Sequence, residues 1–463
     1  MRQIAHLTTG WGSLEWGHSM KGVSAMRPCG KCSAVLVALL VVLLLLVLFL
    51  AACSSEDEEN SREGANTPAA SATAAAVTAT SAPSGQFGPG VTDTEIILGA
   101  HSPLSGALGA VYAMIPRATG AYFSYINDTE GGVCGRKIVY KVEDDNYDPA
   151  KGLEVTRKLV EQDQVLALVG NLGDLPHASA FDYLNDAGVP DLLVSAGSHK
   201  YGADPQGHPW TVQMIPDYRM EATFFGQYIS ENLPGKKVAV LYENQDFGID
   251  GLAGVKQGLD PGKNQLVAEQ PYEPTAIDIR SEITNLKNAG AEVVVLYTTP
   301  GFTAQAVRNA DRLGWKPQFL ASYVNSDDIL FQFVTPQLLD GMITFQALKL
   351  AAWRDDPAVA EHHEIMGKYG GPVPSNFTVY AQALGELTVE MLSRACDNLT
   401  RQGLMDAIES VQGWKSDLLV EGIDVTISDT DHTAIDAGRM LRVVVSDSGK
   451  GKFEYFGDVY YMR

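Results

Sequence analysis

The 463-residue chain has few cysteines and a shortage of basic residues. It contains 34 Lys and Arg against 56 Asp and Glu, which gives a formal net charge of −22 at pH 7. A protein that binds nucleic acid needs a concentrated basic surface, so this balance argues against nucleic acid as a partner. Charged residues make up 19% of the chain and hydrophobic residues 45%, which predicts a globular body.

The sequence also lacks the motifs that mark common classes of enzyme. It has no G-x-S-x-G nucleophile turn, no phosphate-binding P-loop and no H-E-x-x-H zinc motif. His362-His363-Glu364 has the wrong spacing for a zinc protease and is predicted to face solvent on a polar helix. The acidic run Glu143-Asp144-Asp145 could attract Ca²⁺, but its place at the end of a strand favours a structural role. We therefore expect no enzymatic activity, no metal and no cofactor.

A long uncharged apolar run covers residues 34–50 and follows the basic residues Arg27 and Lys31. A basic segment, an apolar segment and small residues before a cleavage point are typical of a secretory signal. The small residues here are Ala51 and Ala52, directly before Cys53. We therefore expect residues 1–52 to be a signal peptide region, and we hypothesise that translation starts at Met26.

The end of this run, Leu50-Ala51-Ala52-Cys53, resembles the lipobox of bacterial lipoproteins. The resemblance implies that Cys53 is acylated and anchors the mature chain to the outer face of the cytoplasmic membrane. The alternative is a signal anchor that remains in the membrane, since the run is nearly long enough to span it. Residues 53–90 are rich in Ser, Ala, Thr, Glu and Pro, which predicts a disordered tether.

Two cysteines, Cys134 and Cys396, remain once the signal region and the lipid site are set aside. Disulfides persist outside the cytoplasm, so an even pair in an exported chain predicts a bond between them. The alternative is a pair of free, buried thiols.

From about residue 91, strand-like apolar segments alternate with helical segments. One series covers residues 95–194 and a second covers 218–321. Such alternation predicts parallel sheets with helices between the strands, and two series predict two doubly wound lobes. Three late helices, at 357–369, 375–396 and 401–411, are expected to pack back on the first lobe. Segments 441–445 and 453–456 are predicted to be closing strands.

Several motifs together resemble the type I periplasmic binding proteins of the branched-chain amino-acid class, the receptors of ABC importers. The resemblance runs from about residue 91 to the end and rests on Ile96-Ile97-Leu98-Gly99, Ser102-Pro103-Leu104-Ser105-Gly106, Gly131-Gly132-Val133-Cys134-Gly135-Arg136-Lys137-Ile138, Glu143-Asp144-Asp145-Asn146-Tyr147-Asp148-Pro149, Gly188-Val189-Pro190 and Asp246-Phe247-Gly248. It implies an α/β fold with two Rossmann-like lobes, each with a parallel sheet, joined by a three-crossover hinge. Lobe one would be residues 91–214 plus 345–422, and lobe two residues 215–344 plus 423–463. Both Cys134 and Cys396 would then lie in lobe one.

Ligands of open α/β sheets bind outside the carboxyl ends of the strands. In the first lobe this places Ser105, Gly106, Gly173, Asp174, Ala196, Gly197 and Ser198 at the expected cleft, with Tyr112 as an apolar wall or a core residue. The resemblance implies that Gly173-Asp174 and Ala196-Gly197-Ser198 hold a ligand carboxylate; the alternative is that they are ordinary tight turns. From the second lobe, Phe247, Thr299 and Tyr323 correspond to cleft positions.

The sequence departs from the amino-acid receptors at two of these positions. Tyr323 stands where those proteins often have an acidic residue that pairs with an ammonium group, and Phe247 replaces a common Tyr. Asp174 or Asp246 could supply the negative charge instead, or could be solvated turn residues. We therefore expect the ligand to be an amino acid or a related small carboxylate or amide, with an aromatic or modified ligand favoured over plain leucine.

These expectations combine into one functional prediction. The chain is expected to be an extracytoplasmic, lipid-anchored, monomeric receptor that delivers a small solute to the permease subunits of an ABC importer. The alternative is a ligand-sensing subunit of a signalling receptor that uses the same fold.

Overall fold

The computed structural model describes residues 86–461. The predicted signal region, the lipid site Cys53 and almost all of the predicted tether lie outside the described residues. Within residues 86–461, no helix is long and apolar enough to cross a membrane.

The sheet of the first lobe has five parallel strands. They are β2 (Glu95–Ser102), β3 (Lys137–Asp144), β4 (Ala167–Val169), β5 (Asp191–Val194) and β6 (Thr211–Gln213). Their spatial order is β3-β2-β4-β5-β6. Strands β4 and β5 are buried along their whole length, as expected of strands covered by helices on both faces. A short strand before them, β1 (Gln86–Phe87), pairs with β12 (Asn398–Leu399).

Helices connect these strands and cover the sheet. They are α1 (Gly106–Tyr112), α2 (Met114–Thr129), α3 (Pro149–Arg157), α4 (Asp174–Ala178), α5 (Phe181–Asp186) and α6 (Lys200–Ala203), with a π-helical turn at Lys158–Gln162. Asp148-Pro149 predicts the start of a helix, because proline suits the first turn, and α3 does begin at Pro149. The Asp148 side chain accepts a hydrogen bond from the Lys151 backbone N–H. The sequence from about residue 108 to residue 127 predicts a single helix, whereas the structure has two helices that meet at Ala113.

The second sheet has seven strands. They are β7 (Lys237–Glu243), β8 (Gln265–Tyr272), β9 (Val293–Tyr297), β10 (Gln318–Ala321), β11 (Ile343–Gln346), β13 (Ala437–Val445) and β14 (Gly451–Tyr461), in the order β14-β13-β11-β10-β9-β7-β8. This sheet is mixed, because β13 is antiparallel to both β11 and β14 while the other strands pair in parallel. Strands β13 and β14 are joined by a short turn, which only an antiparallel pair permits.

Further helices complete both lobes. They are α7 (Tyr218–Asn232), α8 (Asp246–Gly258), α9 (Arg280–Asn288), α10 (Pro300–Arg312), α11 (Leu330–Phe333), α12 (Pro336–Leu339), α13 (Pro357–Lys368), α14 (Asn376–Arg394) and α15 (Arg401–Glu409). The late helices pack on the first lobe, as predicted. Helices α2 and α14 share one core, where the Thr119 hydroxyl donates to the Ala381 carbonyl at 3.1 Å.

The chain passes between the lobes three times: after β6, after β11 and before β13. The first and third crossovers run side by side, because Gln213 N–H donates to the His432 carbonyl and Ala434 N–H to the Gln213 carbonyl, both at 2.8 Å. Ile423 and Ile435 belong to the core of the first lobe. The predicted boundary between residues 422 and 423 therefore falls inside a segment that packs on that lobe.

Cys134 and Cys396 form a disulfide, which confirms the predicted pairing. Cys134 lies in the turn before β3, and Cys396 follows the end of α14. The bond therefore ties an early and a late segment of the same lobe together and leaves the crossovers unconstrained.

Candidate functional site

A cavity lies between the lobes, at the carboxyl ends of strands from both sheets. It has about 820 Å³ of empty space, including its opening to solvent. Six of the residues singled out from the sequence line it: Tyr112, Gly173, Asp174, Phe247, Thr299 and Tyr323. Sequence reasoning missed other lining residues, among them Tyr147, Tyr218, Gln346, Phe377 and Tyr380. We call this cavity the cleft; the part that each lining residue plays in binding stays a prediction.

Ser105 and Gly106 do not line the cleft. Both are exposed, and they form the turn that begins α1. The Ser105 hydroxyl donates to the Asn146 side-chain oxygen at 3.2 Å, and a Cβ on Gly106 would lie 2.8 Å from that same oxygen. The Asp144 carboxylate accepts the backbone N–H groups of Leu104, at 2.8 Å, and of Asn146, at 2.9 Å. The acidic run therefore has the structural role that the sequence favoured.

Ala196, Gly197 and Ser198 lie behind the cleft surface and are buried. A Cβ on Gly197 would come within 2.4 Å of the Tyr323 hydroxyl and 2.7 Å of a Tyr218 ring carbon. Only glycine allows these two rings to approach the backbone so closely. This turn thus sets the position of two rings in the cleft wall.

Asp174 is the first residue of α4, and its side chain is buried at the cleft surface. Its Oδ1 accepts two hydrogen bonds from Ser198, one from the backbone N–H at 3.0 Å and one from the hydroxyl at 2.7 Å. Burial raises the pKa of the Asp174 carboxyl to about 6, although these hydrogen bonds favour its charged form. Asp174 is therefore ionised near neutral pH, and the alternative of a solvated turn carboxylate is wrong.

Seven of the 20 residues that line the cleft are aromatic. Tyr218 packs edge-on against Phe247, with 4.7 Å between ring centroids, and stacks on Tyr323 at 5.5 Å. Tyr112 contacts Phe377 at a centroid distance of 5.5 Å. Such a wall suits an apolar or aromatic ligand body.

Behind this wall, a buried carboxyl group contacts Tyr323 of the wall and the buried Tyr297. Glu221 Oε1 accepts the Tyr323 N–H at 2.8 Å, and Glu221 Oε2 lies 2.9 Å from the Tyr297 hydroxyl. That hydroxyl also lies 3.0 Å from the Tyr218 carbonyl oxygen. The Tyr297 hydroxyl has one proton and cannot donate fully to both the Glu221 carboxylate and the Tyr218 carbonyl oxygen. A protonated Glu221 removes this conflict, because its carboxyl group donates to the Tyr297 oxygen and Tyr297 donates its own proton to the Tyr218 carbonyl oxygen.

Burial acts in the same direction, since it raises the pKa of Glu221 to about 8. We conclude that Glu221 is neutral at neutral pH. It fixes the backbone of Tyr323, whose hydroxyl donates to the Pro216 carbonyl at 2.8 Å. The Tyr323 hydroxyl therefore offers a ligand only an acceptor.

The charges around the cleft are negative. No Lys, Arg or His is among its lining residues, all of which belong to the described part of the chain. In the second lobe, the buried Glu243 accepts hydrogen bonds from Tyr272, at 2.8 Å, and from Gln245, at 2.9 Å. Burial raises the pKa of Glu243, and the negative charge of Asp174 adds to that rise. Two carboxyl groups thus approach the cleft region from opposite lobes.

Polar contacts also join the lobes directly. Lys200 of the first lobe forms an ion pair with Asp246 of the second at 2.7 Å. The His199 N–H donates to Asp250 of the second lobe at 2.9 Å, and the His199 ring contacts the Asp217 carboxylate at 2.5 Å. The hydrogen bond to Asp217 raises the pKa of His199. Asp246, singled out as a second source of negative charge for the ligand, does not line the cleft and is instead paired with Lys200.

The histidine pair in α13 also differs from expectation. His362 is fully buried rather than solvent-facing, and its ring nitrogens lie 2.8 Å from Gln382 Oε1 and Thr378 Oγ1. Burial lowers the pKa of His362 to about 4. Between residues 86 and 461 there is no group of three or more His, Cys, Asp or Glu side chains arranged to hold a metal ion.

Comparisons with known proteins agree with this architecture. The chain is similar to an amino acid binding protein of Pseudomonas aeruginosa, with 26% identity over 297 residues that cover 62% of this chain and 76% of the relative. Among solved structures it is similar to a branched-chain amino acid ABC transporter protein of Thermus thermophilus with bound valine, with a TM-score of 0.71, 19% identity, and coverage of 80% of this chain and 97% of that one.

A second solved structure is a fatty acid ABC transporter substrate-binding protein of Thermomonospora curvata, with a TM-score of 0.69, 23% identity, and coverage of 81% of this chain and 95% of that one. Both structural likenesses concern the fold. The family model described as periplasmic binding protein matches residues 95–451, which is most of the described chain. That family consists of solute-binding proteins rather than enzymes. The resemblance identified from the sequence motifs is thus confirmed, and the chain belongs to the periplasmic binding protein family.

Proposed function

We propose that this protein is the lipid-anchored, extracytoplasmic receptor of an ABC importer and that it captures a small organic solute between its lobes. The observation that carries the proposal is the cleft itself, which combines aromatic walls from both lobes with a single buried carboxylate, Asp174. Its position at the carboxyl ends of the strands is the usual ligand position in open α/β sheets. Its size is within the range of small-molecule sites.

The solute is a small compound of the amino-acid type, such as an amino-acid amide, with an apolar or aromatic body. The cleft supports this through rings such as Tyr218, Phe247 and Tyr323, which present large apolar surfaces with few polar atoms. The similar proteins named above are described as binding an amino acid, valine and a fatty acid, all of which have an apolar portion.

Capture is a closure of two lobes around the solute. A ligand stabilises the closed arrangement only by its greater affinity for that arrangement than for the open one. The cleft has lining residues from both lobes, for instance Asp174 and Phe247, so a ligand held between them contacts both only when the lobes are together. The closed, loaded receptor is the form that the permease subunits recognise.

The protein works as a monomer at the outer face of the membrane, attached through acylated Cys53. Support for the anchor comes from the order of an apolar run, small residues, a cysteine and a polar tether before the folded body. Replacing Cys53 with Ala is expected to release the protein from the membrane fraction. Unchanged membrane attachment of that variant would contradict the anchor.

Ligand binding is tested by calorimetric titration of the full chain, kept in detergent, with amino acids, aromatic acids, amides, amines, fatty acids and short peptides. An unfolding curve provides a second measurement of binding. A specific ligand at 100 times its dissociation constant is expected to add about 2.7 kcal/mol to the free energy of unfolding, which such a curve resolves easily. Binding by members of one chemical class supports the receptor function. Failure of every compound to bind would contradict it.

A further inference from the structure

Behind the first-lobe wall of the cleft, two hydrogen-bond donors converge on one point. They are the backbone N–H and the hydroxyl of Ser198, which lie 3.0 Å and 2.7 Å from Asp174 Oδ1. A backbone N–H beside a hydroxyl is an arrangement that suits a carboxylate oxygen. Here the oxygen comes from the protein, so these donors are already used before any ligand arrives.

The charge balance makes the cleft unfavourable for a carboxylate ligand. Such a ligand would lose water next to the Asp174 carboxylate, and none of the lining residues carries a compensating positive charge. An ammonium group, in contrast, would form a charge pair with the buried Asp174 carboxylate.

The rings around Asp174 also suit a cation. Tyr147 lies against the backbone of Gly173, where a Cβ would come within 2.6 Å of a Tyr147 ring carbon. Tyr218 and Tyr323 stack on each other and border the Gly197 turn, which is joined to Asp174 through Ser198. Faces of tyrosine rings attract ammonium groups, with a stronger effect where water is excluded.

We propose that the cleft selects solutes that carry an ammonium group but no free carboxylate, such as aromatic amines and amino-acid amides, with the ammonium paired to Asp174. This inference rests on the proposed receptor function and specifies its substrate class. The Asp174 carboxylate accepts the Ser198 hydrogen bonds that a ligand carboxylate would otherwise accept, and its negative charge pairs with the ammonium group of the ligand. The aromatic wall around Phe247 and Phe377 holds the apolar body of the solute.

Four compounds that share a phenyl body separate the contribution of the ammonium group to binding from that of the carboxylate. Phenethylamine carries only an ammonium group, 3-phenylpropionate only a carboxylate, phenylalanine both, and 3-phenylpropionamide neither. Calorimetric titration of the full chain near neutral pH is expected to give an affinity for phenethylamine at least about tenfold higher than for 3-phenylpropionate, a difference of about 1.4 kcal/mol. Phenylalanine is expected to bind more weakly than phenethylamine, because its carboxylate has no partner.

The substitution Asp174→Asn tests the assigned residue. Its side-chain oxygen can still accept both Ser198 hydrogen bonds, so the turn is retained while the charge is removed. It is expected to lower the affinity for phenethylamine by about tenfold or more, with little change for 3-phenylpropionamide. The matched control is Asp186→Asn, which removes one charge from an exposed position of the same lobe and is expected to leave all four affinities unchanged.

Two results would overturn the inference while leaving the receptor function intact. One is binding of 3-phenylpropionate as tight as that of phenethylamine, because the carboxylate would then have a partner in the cleft. The other is binding of a carboxylate from the broad panel, with a fatty acid or an aromatic acid as examples, when none of the amines binds. If no compound of either panel binds, the receptor function itself fails.

Discussion

The ammonium group of Lys200 lies 2.7 Å from the Asp246 carboxylate, and this ion pair joins the first lobe to the second. The two side chains are 39% and 43% exposed. Residues on opposite sides of a hinge separate when the lobes part, so the pair contributes to the closed arrangement and not to the fold of either lobe. Ligand affinity depends on how readily the closed arrangement forms, which connects this surface pair to binding in the cleft.

Replacing Lys200 with Met is therefore expected to lower ligand affinity without lowering the stability of either lobe. Exposed ion pairs contribute about 0.2–1 kcal/mol, so the expected loss in affinity is about fivefold or less. The loss should shrink as salt concentration rises, because salt screens the pair in the wild-type protein. Calorimetric titrations at low and high salt measure both effects.

The control is a pair of the same kind within one lobe. Lys256 lies 2.7 Å from Glu269, both are in the second lobe, and their exposures of 46% and 40% are similar to those of the interlobe pair. Lys256→Met is expected to leave ligand affinity unchanged. An equal loss of affinity in both variants would show that the Lys200 pair has no special role in closure.

The buried Glu221 predicts a pH dependence of stability. Its pKa is about 8 in the folded protein against an ordinary value of 4.5, so between these values the folded state holds a proton that the unfolded state has lost. The free energy of unfolding therefore falls as pH rises through this window, by up to about 1.4 kcal/mol per pH unit. The stability of the Glu221→Gln variant is expected not to fall with pH in this way. Its amide can make the same hydrogen bonds to Tyr297 and Tyr323 as the protonated carboxyl group, but it does not titrate.

Chemical denaturation of both proteins across this pH range gives the difference. The stability of Glu221→Gln relative to wild type should rise with pH and level off above about pH 8. Glu231→Gln, at an exposed position of the same helix, provides the control and should follow the wild-type curve. Parallel curves for wild type and Glu221→Gln would mean that Glu221 is ionised throughout.

Removal of the disulfide is expected to affect stability but not binding. Replacing Cys134 and Cys396 with Ser should lower the free energy of unfolding by about 2–5 kcal/mol, mainly because the unfolded chain gains freedom. Ligand affinity should stay the same, since neither cysteine lines the cleft. Adding a reductant should destabilise the wild-type protein and leave the double variant unaffected. A fall in affinity that accompanies the loss of stability would contradict this separation.

Much of the fold could be predicted because it depends on local patterns. The sequence predicts a strand at Asp191–Val194 and a helix at Tyr218–Asn232, and β5 and α7 have these bounds. The export context correctly paired Cys134 with Cys396. The short strands β6 and β11 were missed. Each has only three or four residues, so their pairing with distant strands, and not their own sequence, makes them strands.

The cleft was harder to predict than the fold. Glycines and polar residues at strand ends indicated Asp174, and the family resemblance indicated Thr299. Tyr147, Tyr218 and Tyr380 were missed because a tyrosine in a turn or on a helix resembles an ordinary core residue in the sequence. Their place in the cleft depends on how elements far apart in the chain pack together. A signal for Tyr147 did exist, since it belongs to the acidic motif that carried the family resemblance.

The central claim, that solute binds in the interlobe cleft, can be tested with two matched substitutions. Thr299 and Thr335 each precede a proline that begins a helix of the second lobe, and neither side chain caps its helix. Thr299 lines the cleft, whereas Thr335 is exposed. With the best ligand from the panel, titration should show that Thr299→Trp, which fills the cleft, lowers the affinity by about tenfold or more, while Thr335→Trp binds as wild type does. Equal, undiminished binding by both folded variants would place the ligand elsewhere and contradict the claim.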